Sequence, residues 1–315
     1  MAVSRMEVQL LMAQTNQAVA DMAHALEGLD LCGHRPLRLI DAARYLDAPK
    51  TERTRFDAPS LIRDNLHLLK ETRQKATTYL STLDQLKKHV ESRAEFDEEE
   101  WKETYVDYTE ECSTTLGEVL IELEEAYKPT IIICTTDMAV IKESEIKRSN
   151  PQKIIIDRAS ELCEGAFLKV VFLYRWCFFA VGDPEQLPPY GFDEADYGQL
   201  LAGRSILLTL RDSRRCVTIN LDGCYRFSPE LLEIYAPLYP KERLFSRRGP
   251  SEPYLSRCQL LHPDDKTQAL IVNLPSPKID TTRGKSRSST EEAKVVRDLI
   301  RILKGAGGVK EEEIL

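Results

Sequence analysis

The chain has 315 residues, 42% of them hydrophobic, with a formal net charge of −8. That length suits one large domain or two ordinary ones with a packed core. The acidic balance excludes an all-over electrostatic grip on nucleic acid, though not a local basic groove.

Taken in chain order, Val8 to Ala13 is an apolar run that reads as a strand, and Thr15-Asn16 follows as a turn and N-cap pair. Ala18, Val19, Met22, Ala25, Leu26 and Leu29 then recur at helical spacing, and Gly33 through Pro36 closes the unit. From Pro59 the character changes. Leu61, Leu66, Leu69, Ala76, Leu80, Leu83, Leu86 and Val90 recur at intervals near three and four, with Arg73 breaking the stripe, which predicts one long amphipathic helix. An acidic block, Glu91 to Glu125, leads into a second helix ending near Tyr127. Its charge fits a solvated face. From Pro129 onward come short, continuous Ile- and Val-rich runs at Ile131 to Cys134, Ile154 to Ile156 and Phe178 to Val181. Such runs suit parallel strands covered on both faces, with helices between. A further strand is predicted over Ala269 to Leu274 and a helix over Thr290 to Lys304. The fold class expected is therefore α/β with a mainly parallel sheet, interrupted by a helical hairpin over residues 59–127.

The eight cysteines form no Cys-x-x-Cys pair and have no histidine at zinc-ligand spacing. Cys134 and Cys177 lie inside apolar runs, where a thiol acts as a small hydrophobe, so reduced core cysteines are expected. With no apolar run of membrane-spanning length and no signal-peptide pattern, the reading is a soluble protein of the cytoplasm or nucleus without a membrane partner.

The most informative string is VGDPEQLPPY, Val181 to Tyr190: a strand running into a Gly-Asp turn, a glutamine and two stiffening prolines. It resembles motif III of superfamily-one helicases, particularly the group that contains the nonsense-mediated-decay helicase and senataxin. Other strings resemble the family's motifs in the family's order. They are LLMAQTNQAVADM from Leu10, TIIICTTDMAVI from Thr130, IIIDRASE from Ile154, CYRFSPELL from Cys224 and STEEAKVVRDLIRIL from Ser289. The resemblance implies a RecA-like P-loop NTPase core. Residues 1–58 and 128–225 would form a first RecA-like domain, and 226–315 the start of a second. It further implies ATP and Mg²⁺ as cofactors and single-stranded RNA or DNA as partner. Asp157 would hold the metal, Gln186 would sense the γ-phosphate and Arg226 would reach it. Thr15, Asn16, Thr135 and Thr136 would meet the nucleic-acid backbone. The plainer readings remain beside these: Asp157 as a capping acid, Arg226 as a surface arginine, Thr135-Thr136 as a helix cap.

Three departures bear on activity. No Walker A loop precedes the first motif, and Gly284-Lys285-Ser286 has Ile279 where that loop needs its first glycine. Arg158 stands where the family has the water-activating glutamate, and arginine is no base near neutral pH. Cys224 replaces the glutamine of the Gln-Tyr-Arg signature. The late motifs are absent as well. The expectation is an incomplete or catalytically impaired helicase-type protein. A non-catalytic nucleic-acid-binding or scaffold protein and a decaying gene copy stand as alternatives.

Overall fold

A computed structural model describes residues 7–92, 97–174, 177–189, 203–239, 244–249 and 287–305, with the single positions 260, 272, 274, 280 and 281. The chain divides into two units, Met1–Val217 and Thr218–Leu315.

The first unit is α/β, built on a five-stranded sheet in which every pairing is parallel. Its strands are β1 (Gln9–Ala13), β2 (Pro36–Arg38), β3 (Ile131–Thr135), β4 (Lys153–Ile156) and β5 (Cys177–Ala180), in the spatial order β2-β3-β1-β4-β5. Four of the five lie where the apolar runs place them. The run of three isoleucines in β3 pairs with β1 on one side and β2 on the other and is buried throughout, as β-branched side chains on a central strand should be. β2 has no counterpart among the expected strands. It is three residues long and ends in Arg38, a fully buried arginine whose Nη1 donates to the carbonyl of Glu52 at 2.7 Å and to Asp57 Oδ1 at 3.2 Å.

The two faces of the sheet are covered differently. Leu10, Met12, Ile132, Cys134, Ile154, Ile156, Phe178 and Ala180 share one face and join the main core. There α8 (Glu164–Tyr174) packs Phe167 edge-on against Phe178, the ring centres 5.1 Å apart. On the opposite face Leu11, Ile131 and Ile133 pack against α1 (Asn16–Glu27) through Val19, Ala23 and Met22. This smaller cluster stops short of the β5 edge. Phe179, on that face, is half exposed and Cys177 is exposed, so Cys177 is not the core thiol expected from its run, whereas Cys134 is fully buried. Among the described residues every cysteine is free.

The expected hairpin is present, with a correction. The single long helix predicted over Leu61 to Val90 is two helices, α3 (Ala58–Asn65) and α4 (Arg73–Glu91), separated by a break. The cause lies on the returning helix, α5 (Glu98–Tyr127). The Glu122 carboxylate accepts the backbone N–H groups of Lys70, Glu71 and Thr72 at 2.6, 3.1 and 2.7 Å, and the Thr72 hydroxyl at 2.7 Å. These amides have no intrahelical acceptor at a helix start, and an anion there is favoured twice, by hydrogen bonds and by the helix dipole. Leu69 stays buried inside the break, so the apolar stripe runs on and hides it. At the far end of the hairpin Trp101 stacks between His89 and Tyr105, and His89 and Trp101 exchange hydrogen bonds with each other's carbonyls. No helix among the described residues is long and apolar enough to cross a membrane.

The second unit contains a short parallel pair, β6 (Gly223–Cys224) with β7 (Phe245–Ser246), and an antiparallel pair, β8 (Asp280–Thr281) with β9 (Arg287–Ser288). The helix expected from Thr290 is found as Thr290–Gly305. Gly284-Lys285-Ser286 lies outside the described residues, as does the strand expected over Ala269 to Leu274 save for Val272 and Leu274.

Candidate functional site

Because all five strands are parallel, their carboxyl ends share one edge, where α/β sheets assemble sites. Four of the sequence-singled turns lie along it. Ala13 and Thr135 are register partners, so Thr15 follows the end of β1 beside the end of β3. Thr15 is the N-cap of α1, its hydroxyl oxygen accepting from the Ala18 amide at 3.3 Å. Thr135 does the same for α6 (Thr136–Ile141), accepting from the Met138 amide at 3.2 Å. Thr136 differs from both. It is buried, and its hydroxyl donates to Gln14 Oε1 at 3.0 Å, bracing the end of β1 against the start of α6. A threonine hydroxyl has one donor and two acceptor positions. The caps use an acceptor position, so Thr15 and Thr135 keep a proton to donate outward, while Thr136 has committed its own. Asn16 occupies the first position of α1 and is half-buried.

At the other end of the edge, Asp157 follows β4 and its amide continues the sheet by donating to Met12 at 2.8 Å. Its neighbour strand leads to Gly182 and Asp183: the amide of Val181 donates to Ile156, and the amide of Ala159 donates to Val181, both at 2.8 Å. Asp157 and Asp183 thus follow adjacent strands, as the sequence reading requires. Gly182 has a role beyond turning the chain. A Cβ there would lie 2.9 Å from the Ala159 nitrogen and 3.1 Å from that of Ser160, so only glycine lets the two strand ends close together. Asp183 is folded onto its own turn, accepting the Glu185 amide through Oδ1 and Gln186 Nε2 through Oδ2, each at 3.0 Å.

Arg158 sits in the left-handed region with φ 50°. Its sequence neighbour Asp157 is not its partner. The arginine turns instead toward α1, with Nη2 3.0 Å from Asp21 Oδ2, and lies 4.0 Å from Glu161. The Asp157 carboxylate accepts no hydrogen bond among the described residues. Neither Asp21 nor Gln14 stands out in the sequence, because each matters only through a partner more than a hundred positions away.

Arg226 lies in the second unit, exposed, where its carbonyl accepts from Arg248 Nη1 at 2.9 Å. Beside it Ser228 caps the helix Pro229–Tyr235, and Phe227 stacks on Tyr235.

Asp157 could serve as one carboxylate ligand to Mg²⁺, an ion that keeps several waters and takes its other ligands from phosphates. Among the described residues no cluster of three metal-binding side chains exists. A nucleoside triphosphate does not fit this edge as described. Its phosphates need a cradle of backbone amides and a lysine. Among the described residues, the turns after β1, β3, β4 and β5 contain a single glycine, Gly182, and no lysine. No protein-family model matches the chain, and no curated protein matches it.

Proposed function

We propose that the chain is a superfamily-one helicase-type protein, its first unit a RecA-like core, that binds the backbone of single-stranded nucleic acid, RNA first, without turning over ATP. The observation that carries this reading is the line of motif-bearing turns along one edge of a wholly parallel sheet, with Thr15 and Thr135 side by side and Asp157 beside Gly182-Asp183. The two threonine hydroxyls, each with a proton left to give, suit phosphate oxygens. The catalytic half of the edge is deficient. Among the described residues it has no phosphate cradle, and Arg158 stands at the base position, held away from Asp157 by Asp21. The free cysteines accord with the cytosol or nucleus.

Fluorescence anisotropy with a labelled single-stranded RNA tests the binding arm. The two hydroxyl contacts are neutral and release no counterions; one phosphate neutralised by an arginine at this edge, such as Arg158, predicts about two- to threefold weaker binding between about 50 and 200 mM salt. Thr135→Val should weaken it further, while Thr135→Ser, which keeps both cap and proton, should not. Absence of binding at low salt, or binding that Thr135→Val leaves unchanged, would sink the proposal. The second arm is RNA-stimulated phosphate release from ATP. None is expected from the natural chain or from Arg158→Glu, which restores an acid but not the cradle. Clear turnover by either would show the phosphate site to be misread.

A further inference from the structure

The proposed function leaves one feature of the edge unused. A cavity of about 260 Å³ lies beneath the hairpin at the carboxyl ends of β2 and β3. Leu39 and Ile40, which follow β2, form one wall, Leu116 and Leu120 of α5 the second, and Met138 and Ile141 of α6 the third. The size lies between the roughly 150 Å³ that encloses a benzene and the roughly 300 Å³ at which pockets for larger ligands begin. One ring or one branched chain with a small head group fits.

Two opposite charges line this otherwise apolar space. Lys142 is 9% exposed, and its ammonium has only long contacts, 3.5 Å to the Ser113 carbonyl and 3.7 Å to Glu145 Oε1. Glu145 gives its other oxygen to the Ser144 hydroxyl at 2.6 Å. An ammonium carries three donors, and a buried cation held so loosely retains capacity for a closer anionic oxygen. Asp41 is exposed. It spends Oδ1 on capping the helix Ala42–Asp47, accepting from the amides of Ala43 and Arg44 at 2.9 and 3.3 Å. Its Oδ2 accepts nothing among the described residues. A ligand with a carboxylate alone would leave Asp41 facing a like charge, and one with an ammonium alone would meet Lys142.

We propose that this cavity binds a small zwitterion with an apolar body, the chemistry of a free apolar α-amino acid, with its carboxylate on Lys142, its ammonium on Asp41 and its side chain among Leu39, Leu116, Leu120 and Met138. A peptide terminus does not meet the requirement, because it carries one of the two charges and not both. The site is independent of nucleic-acid binding, so either proposal can fail without the other.

The test uses the full chain with ¹³C-methyl methionine, whose five methionines give few signals, Met138 being identified by Met138→Leu. L-phenylalanine is titrated beside phenylacetate and phenethylammonium, which each keep one charge. The Met138 signal should shift saturably with L-phenylalanine, and each single-charge probe should bind about tenfold or more weakly, the loss of one charge-assisted hydrogen bond. Lys142→Met should weaken L-phenylalanine by the same factor and leave phenethylammonium unweakened. Leu116→Trp, which fills the cavity, should abolish the shift. No saturable shift up to roughly 10 mM, weaker than any specific site would be, overturns the proposal. So does phenylacetate binding as tightly as phenylalanine, or a shift that survives Leu116→Trp. Should either variant not fold, the three probes on the natural chain decide alone.

Discussion

Glu122 and Glu124 sit two positions apart on α5 and meet opposite environments. Burial raises the pKa of Glu122, but hydrogen bonds from the Thr72 hydroxyl and the amides of Thr72, Glu71 and Lys70 outweigh it and hold the carboxyl down at about 2. Burial pushes Glu124 up to about 7, with Glu145 adding to the rise and Arg148 and Ser149 opposing it. Its Oε1 is buried without a hydrogen bond, and Arg148 stands 4.0 Å from Oε2. The sign of the linkage follows. Unfolded, Glu124 titrates near the ordinary glutamate value of 4.5. Folded, it holds its proton to about 7, so between those values folding takes up a proton and stability falls as pH rises. The cost is absent below the lower value, complete above the upper, and at most about 3–4 kcal/mol at about 1.4 kcal/mol per unit. Glu124→Gln should therefore raise stability at pH 8, leave it unchanged near pH 4, and flatten the intervening slope in urea melts. Parallel pH curves for the two proteins would refute this account. Glu122 has the reverse sign: its contribution is present above the ordinary carboxylate range and is lost only as pH falls toward 2.

The break between α3 and α4 belongs to the element scale. The α4 start is capped from across the hairpin rather than by its own preceding residue, since Thr72 makes no side-chain cap bond within its helix. Glu122→Ala should strip acceptors from three amides and cost about 1–2 kcal/mol, in line with loss of an N-cap. Glu122→Gln keeps one acceptor oxygen and should cost less. Equal, negligible losses would mean that water replaces the carboxylate freely. The same element marks the limit of what the sequence discloses. β1, β3, β4 and β5 were legible because each is an unbroken apolar run, and the hairpin because its stripe keeps helical spacing. The break was not, although Arg73 interrupts the stripe there, because Leu66 and Leu69 keep an apolar face through it while the cause lies fifty residues away in Glu122. β2 was not, because three residues ending in arginine give no period, and Arg38 is buried only by virtue of Asp57 and the Glu52 carbonyl. At the edge, the positions of Thr15, Thr135, Asp157 and Asp183 followed from their strands. The partner of Arg158 did not, since Asp21 reads as one more exposed acid on α1.

At the scale of the whole first unit, the carboxyl edge carries the cavity at β2 and β3 and the Asp157–Gly182 turns at β4 and β5, with the threonine caps between them. The hairpin that roofs the cavity is also an interruption: it stands in the chain between β1 and β3, strands that pair residue for residue from Gln9 with Ile131 to Ala13 with Thr135. That arrangement has a kinetic consequence. Closing so long a loop before any contact rewards it is slow, whereas α4 ends at Glu91 and α5 begins at Glu98, so this pair is close in the chain and can form locally in microseconds. Once folded, the hairpin returns its two ends toward each other and the effective loop shrinks. Assembly should then run from the inside of the chain outward, hairpin first and central strand late. Pulse-labelled hydrogen exchange during refolding should find the amides of Tyr79, Leu83, Val119 and Leu120 protected before those of Leu10 and Met12. Simultaneous protection would mean that the two halves of the sheet find each other without help from the segment that separates them. β1, made before the hairpin, would be among the last to find its place, and until the hairpin folds Leu10, Leu11 and Met12 would stay exposed, a short sticky segment with no neighbour yet made.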